Sequence, residues 1–136
     1  MRRVFVDTGA FFALLSADDA HHARFTAHFA TASRERWKLV TTNFVLAETH
    51  ALVLHRAPGG AQTALRFIEG WLDGEGHLER VSRADERLAL TLLRARVERR
   101  YSFCDATSFV VMDRLHLREV LSPDGHFRER PGFIVL

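Results

Sequence analysis

The sequence predicts an α/β fold with a mostly parallel central sheet covered by helices. Three observations carry that prediction. The run Val4-Phe5-Val6 is apolar, strand-favouring and free of alternation, as expected of a strand buried on both faces. Further short strand-favouring runs at residues 39–41 and 119–121 are separated by helix-length segments whose apolar residues recur at helical spacing. Short strands alternating with helices in this way favour a parallel sheet with both faces covered.

The bulk composition narrows the classes. A chain of 136 residues is expected to form one domain. It can bury roughly two-thirds of its unfolded surface, so it needs no disulfide or structural metal to fold. A single cysteine, Cys104, excludes an internal disulfide framework and any Cys-rich zinc site, and fits a reducing compartment. Met1-Arg2-Arg3 resembles a signal peptide only superficially, because Asp7 interrupts the apolar region and no small-residue cleavage site follows. No apolar run approaches the length of a membrane span, so a cytoplasmic protein with no membrane contact is expected. A net charge of +2 does not by itself argue for nucleic-acid binding. The basic groups are arginines apart from Lys38, which suits phosphate contacts and equally reflects codon bias.

In chain order, the first strand ends at Asp7, and Thr8-Gly9 turns into an apolar helix over residues 10–15. Residues 16–19 are a polar break. Residues 20–36 read as a surface helix, on which His21, His22 and His28 lack companion ligands and are expected to be solvated. The strand at residues 39–41 leads through Thr42 and Asn43, both good caps, into a helix over residues 44–56. Glu48 falls on the stripe of Phe44, Ala51 and Leu52, toward the core or its rim, where a carboxylate needs a partner. Pro58-Gly59-Gly60 turns the chain into an antiparallel helix over residues 61–72. Its buried side is expected at Leu65, Ile68 and Leu72, with Phe67 and Trp71 beside it.

Gly74 and Gly76 precede a strand expected at residues 77–81. Ser82 and Asp85 form a capping box for a helix running to about Arg100, with Leu88, Leu92 and Ala95 on one face. Its many arginines read mainly as a solvated face, a few of them candidates for a phosphate-binding rim. Residues 103–108 open an apolar helix ending near His116, with Asp105 as its candidate N-cap. The strand at residues 119–121 turns out through Ser122-Pro123-Asp124-Gly125, and residues 133–136 close the chain as a last strand.

Asp7 and Asp124 each stand just beyond the carboxyl end of a strand, where open α/β sheets place their ligands. Asp105 opens the helix that feeds the strand before Asp124, and Glu48 can reach the same edge. Four converging carboxylates repel one another strongly unless some are protonated or a divalent cation is bound. Hard oxygen donors without cysteine favour Mg²⁺ or Mn²⁺ over zinc. Such a site suits metal-assisted phosphodiester hydrolysis. Paired-carboxylate glycoside hydrolysis would need a polar, aromatic sugar groove, of which there is no signature.

Four motifs carry a family resemblance across essentially the whole chain. Val-Asp-Thr-Gly-Ala-Phe at 6–11, Thr-Thr-Asn-Phe-Val-Leu-Ala-Glu at 41–48, Cys-Asp-Ala-Thr-Ser-Phe at 104–109 and Leu-Ser-Pro-Asp-Gly-His-Phe at 121–127 together resemble a PIN domain. The likeness is to the VapC-type toxins of toxin–antitoxin pairs. It implies a three-layer α/β/α sandwich and a Mg²⁺- or Mn²⁺-dependent endoribonuclease. By motif, Asp7, Glu48, Asp105 and Asp124 would form the catalytic metal cluster, with Asp7 and Asp105 the best candidates for direct ligation. Glu48 and Asp124 would act directly or through water. Thr8 and Ser108 would support the site by hydrogen bonds, and His126 and Phe127 would pack.

The resemblance further implies an RNA substrate, a homodimer, and inhibition by a small antitoxin protein packing across helices near the cleft. The aromatic helix pair of residues 44–72 is the candidate surface for that protein. Two other readings stand beside this one. The first is a stand-alone PIN nuclease in RNA processing. The second is a catalytically weak PIN-fold RNA- or protein-binding module, against which the intact acid set argues.

Overall fold

Val4, Phe5 and Val6 are wholly buried in the middle strand of the sheet. A computed structural model describes residues 1–74 and 76–136. Strand β1 (Arg3–Val6) lies between β2 (Lys38–Thr42) and β4 (Glu119–Leu121), with β3 (His77–Glu79) and β5 (Ile134–Val135) at the edges. Every pairing is parallel, and Phe5 stands between Val40 and Val120. A central parallel strand has no solvent face, which is why β1 reads as an unbroken apolar run.

The strand order β3-β2-β1-β4-β5 reverses direction at β1. Right-handed crossovers put α1 (Thr8–Leu15), α2 (His22–Arg34), α3 (Asn43–Arg56) and α4 (Gly60–Asp73) on one face. The long return from β3 carries α5 (Arg83–Ala95) and α6 (Phe103–Arg114) to the other. Accordingly α1 packs on α2 and α3, α3 on α4, and α5 on α6. The result is the expected three-layer sandwich, and a reversal of strand order opens a crevice at the carboxyl ends of β1 and β4.

Phe127 and Phe109 meet edge-on at 5.0 Å beneath that crevice, and Phe5 lies 6.5 Å from Phe127. Both rings of the close pair are fully buried, so each contributes about 1.5–3 kcal/mol through burial alone. The loop bearing Asp124 is therefore anchored in the core. On the far side of the same layer, Arg114 clamps Asp85 through two 2.9 Å bonds and reaches Glu79 at 2.9 Å. Asp85 also closes the expected capping box with Ser82.

Several local expectations are corrected. Helix α2 starts at His22, because Asp19 accepts the His21 N–H and holds the preceding residues in a turn. Strand β3 stops at Glu79, since the Val81 N–H donates to Asn43 Oδ1 instead of to a neighbouring strand. Helix α5 stops at Ala95, followed by a 3-10 turn at Val97–Arg99 and a left-handed Arg100. Its inward residue is Ala89, while Leu88 faces solvent. Helix α4 buries Gly60, Ala64 and Phe67 and exposes Leu65 and Leu72. Phe67 and Trp71 lie edge-on to Phe11 at 4.9 and 5.4 Å, Phe67 buried and Trp71 half-buried at the surface. Helix α6 ends at Arg114 and the last strand is only Ile134–Val135. Among the described residues no helix is long and apolar enough to cross a membrane.

Candidate active site

Asp7 occupies the N-cap position of α1, yet its side chain makes no capping bond. Its backbone N–H instead donates to Leu121 O at 3.1 Å, which ties the carboxyl ends of β1 and β4 together. The carboxylate is only 4% exposed and accepts from Ser122 Oγ at 3.2 Å. Burial pushes this carboxyl up to about 7, the Thr8 N–H opposing and the charges of Asp105, Asp124 and Glu48 adding to the rise. The first turn of α1 passes directly under the next loop. A Cβ on Gly9 would lie 2.7 Å from Pro123 Cγ, so a residue without a side chain is required there.

Asp105 is not the N-cap of α6. Ser102 is, and Asp105 sits three residues on, where the two form a capping box. The Asp105 N–H donates to Ser102 Oγ at 2.9 Å, and Asp105 Oδ2 accepts the Ser102 N–H at 3.0 Å. The same Oδ2 accepts from His126 Nδ1 at 3.1 Å. The helix cap thus fixes the rotamer that aims the carboxylate into the cleft. Asp124 caps the 3-10 turn Gly125–Glu129, its Oδ1 accepting the His126 N–H at 2.9 Å. Its own N–H donates to Ser122 Oγ at 3.0 Å, and its Oδ2 stands 3.4 Å from His126 Nδ1. A ring nitrogen facing two carboxylates acts as a donor, which sets the tautomer.

Glu48 is exposed, and α3 buries Val45, Leu46, Thr49 and Val53 instead of the expected stripe. It stands at the rim of the cleft, where its charge still reaches Asp7 and Cys104. Burial, with Glu48, Asp7 and Asp105 around it, holds the Cys104 thiol well above its ordinary range, so that sulfur stays neutral and unreactive. Thr8 and Ser108 do not support the acids by hydrogen bonds. Both hydroxyl oxygens are buried, Thr8 lying against the Cys104 thiol and neither bonded to an acid among the described residues. The hydroxyl that bridges Asp7 and the Asp124 loop is Ser122, two residues before Asp124. Phe127 packs as expected, whereas His126 touches both Asp105 and Asp124 and has its ring edge-on to Tyr101 at 5.2 Å. Ser122 and His126 were legible as the polar residues flanking Asp124 in a seven-residue motif, but only the fold shows what they touch.

This arrangement fits a divalent cation. Ligand atoms of Asp105, Asp124 and His126 all lie within 4.8 Å of one another. Among the described residues no Lys or Arg pairs with these acids, and the His126 imidazole is the one nitrogen side chain in salt-bridge range of them. A buried acid beside further carboxylates is a donor set short of positive charge.

The chain matches the PIN domain family model over residues 4–132. It is 36% identical over 126 residues to a VapC ribonuclease of Archaeoglobus fulgidus, covering 90% of this chain and 77% of that protein. It is 37% identical over 131 residues to the 23S rRNA-specific endonuclease VapC20 of Mycobacterium tuberculosis, covering 96% and 95%. The crystal structure of M. tuberculosis VapC20, described as a sarcin–ricin loop cleaving toxin, superposes with a TM-score of 0.86 at 33% identity and 96% coverage of both chains. A family match over nearly the whole chain, identities of 36–37% to VapC ribonucleases and a closely superposing fold converge on one conclusion: this chain belongs to the PIN domain family, among its VapC-type ribonucleases.

Proposed function

We propose that this protein is a metal-dependent endoribonuclease whose catalytic acids are Asp7, Glu48, Asp105 and Asp124, and that it acts as the toxin of a toxin–antitoxin pair. The observation that carries the reading is the crevice at the β1/β4 switch point, where these acids gather without a Lys or Arg partner among the described residues. Asp7, Asp105 and Asp124 would hold Mg²⁺ or Mn²⁺, with Glu48 contributing from the rim. Bound there, the ion would lower the pKa of water and stabilise charge on the attacked phosphate. Ser122 keeps Asp7 and the Asp124 loop in register, and the Ser102 cap holds Asp105 in place. The order of donors, not any single residue, is what the fold supplies.

We take structured RNA as the substrate class, with 23S rRNA the first target to try, because the VapC20 relatives are named for it. A homodimer, a small antitoxin partner, a cytoplasmic location and a single PIN domain complete the reading. The test is cleavage of a ribosomal stem–loop RNA by purified protein in Mg²⁺ or Mn²⁺. EDTA and Asp7→Asn are each expected to lower the rate by roughly 10²-fold or more, since the ion's contribution amounts to several kcal/mol of transition-state stabilisation. Cleavage that persists unchanged in EDTA and in Asp7→Asn would refute the assignment.

A further inference from the structure

His126 enters the crevice on the 3-10 turn Gly125–Glu129, one residue before Phe127, whose ring is wholly buried in the core. Two contacts then fix the imidazole. Its ring stands edge-on to Tyr101 at 5.2 Å, and the Tyr101 hydroxyl donates to Glu129 Oε2, at the end of the same turn, at 3.2 Å. Nδ1 comes to rest 3.1 Å from Asp105 Oδ2 and 3.4 Å from Asp124 Oδ2. Ligand atoms of the three residues lie within 4.8 Å of one another, and among the described residues no other three His, Cys, Asp or Glu side chains come so close. The His126 side chain is 31% exposed, so an ion reaches the nitrogen from solvent. A ring held on two sides is a preorganised donor.

The carboxylates do not need this ring to hold them in place. Asp105 Oδ2 already accepts the Ser102 N–H at 3.0 Å, and Asp124 Oδ1 accepts the backbone N–H of His126 itself at 2.9 Å. The imidazole is surplus as a clamp and well placed as a ligand. We propose that His126 Nδ1 is a direct ligand of the divalent cation, shared with Asp105 and Asp124, and that this nitrogen makes the site select Mn²⁺ over Mg²⁺. The inference rests on the reading of the crevice as a metal site and names the ion that site takes. Mg²⁺ is a hard ion that favours oxygen and gives up its waters reluctantly, so an imidazole adds little to its binding. First-row transition ions accept an imidazole beside carboxylates, and Mn²⁺ is the one among them that carboxylate-rich sites also suit. In the metal-free protein the Nδ1 hydrogen faces the two carboxylates. With the ion bound, the ring takes the tautomer that carries its hydrogen on Nε2, which frees the Nδ1 lone pair.

The test uses the full chain with metal alone and no RNA. Mn²⁺ and Mg²⁺ are titrated by calorimetry into wild type, His126→Asn and His126→Asp. Asn keeps an N–H near the position of Nδ1 but offers no imidazole, and Asp makes the donor set all oxygen. The wild type is expected to bind Mn²⁺ at least about tenfold more tightly than Mg²⁺. His126→Asn should lose roughly 10–100-fold in Mn²⁺ affinity and less than about threefold in Mg²⁺ affinity. His126→Asp should bring the two ions to within about threefold of each other. Pulsed electron paramagnetic resonance of the Mn²⁺-loaded wild type should show a directly coupled ¹⁴N that is absent from His126→Asn. The wild-type spectrum is informative whether or not a variant folds. Mn²⁺ bound without nitrogen coupling, or both ions weakened by the same factor in His126→Asn, overturns the proposal and leaves the metal-dependent nuclease standing. A wild type that binds neither ion overturns both.

Discussion

Replacing Asp7 with Asn should stabilise the metal-free protein while abolishing its cleavage. Asp7 is 4% exposed, and its carboxyl is pushed from an ordinary 3.8 up to about 7. A rise of about three units corresponds to roughly 4 kcal/mol at 1.36 kcal/mol per unit, an upper bound once water enters the cleft. The sign follows from proton binding. Between the unfolded and folded pKa values the folded state holds a proton that the unfolded state has released, so stability falls as pH rises from about 4 and levels off above about 7. Asn has no proton to lose. The variant should therefore match the wild type near pH 4 and exceed it by about 2–4 kcal/mol at pH 8, measured by urea unfolding in EDTA. Added Mn²⁺ should then raise the stability of the wild type and leave that of the variant unchanged, because only a state that binds the ion gains from it. A variant equal to or less stable than the wild type at pH 8 in EDTA would show that burial and neighbouring acids do not strain Asp7, and the argument for a cation-starved crevice would fail.

Three further outcomes follow from single contacts. Arg114→Ala leaves Asp85 buried without its two-pronged partner and should cost about 2–4 kcal/mol of unfolding free energy. Burial pushes Asp85 upward but the Arg114 and Ser82 hydrogen bonds outweigh it and hold the carboxyl below its ordinary range. Its contribution is thus present above about pH 4 and lost as pH falls through the folded value, so the variant should show a shallower acid limb in urea melts. Gly9→Ala drives a Cβ to within 2.7 Å of Pro123 and should cost about 1–3 kcal/mol while displacing Asp124, read as a lower kcat with a lower Tm; unchanged cleavage would mean the two turns do not need their present spacing. Glu48→Gln, at an exposed position, should leave stability within about 0.5 kcal/mol but weaken cleavage and Mn²⁺ affinity by roughly 10–100-fold. Unaltered Mn²⁺ titration in that variant would remove Glu48 from the site.

The elements easiest to read were those whose local signal and tertiary role agree. Val4-Phe5-Val6 is apolar throughout because a central parallel strand is covered on both sides, and Ser82 with Asp85 caps a helix wherever that helix packs. Misreadings arose where several faces of a helix look alike. On α4 the periodicity offered Leu65 and Leu72 as readily as Phe67, and the position of Phe11 decided between them. On α3 the apolar stripe around Glu48 was genuine in spacing, but β2 and α4 bury the neighbouring stripe through Val45 and Val53. Asp105 has the side chain of an N-cap and stands at the right end of a helix, yet Ser102 took that place and Asp105 became the reciprocal acceptor.

By itself the sequence determined the α/β class, the existence and order along the chain of the strands and the identity of the four candidate acids, because each is written in residues adjacent along the chain. Only the tertiary structure decided that Asp7 carries no capping bond, that Ser122 joins it to the Asp124 loop and that His126 faces two carboxylates. It also decided that Trp37 and Trp71, 34 positions apart, wall a single trough. Backbone propensity and periodicity are local, whereas hydrogen-bond partners and electrostatic neighbours are set by which crossover brings which loop to which edge of the sheet.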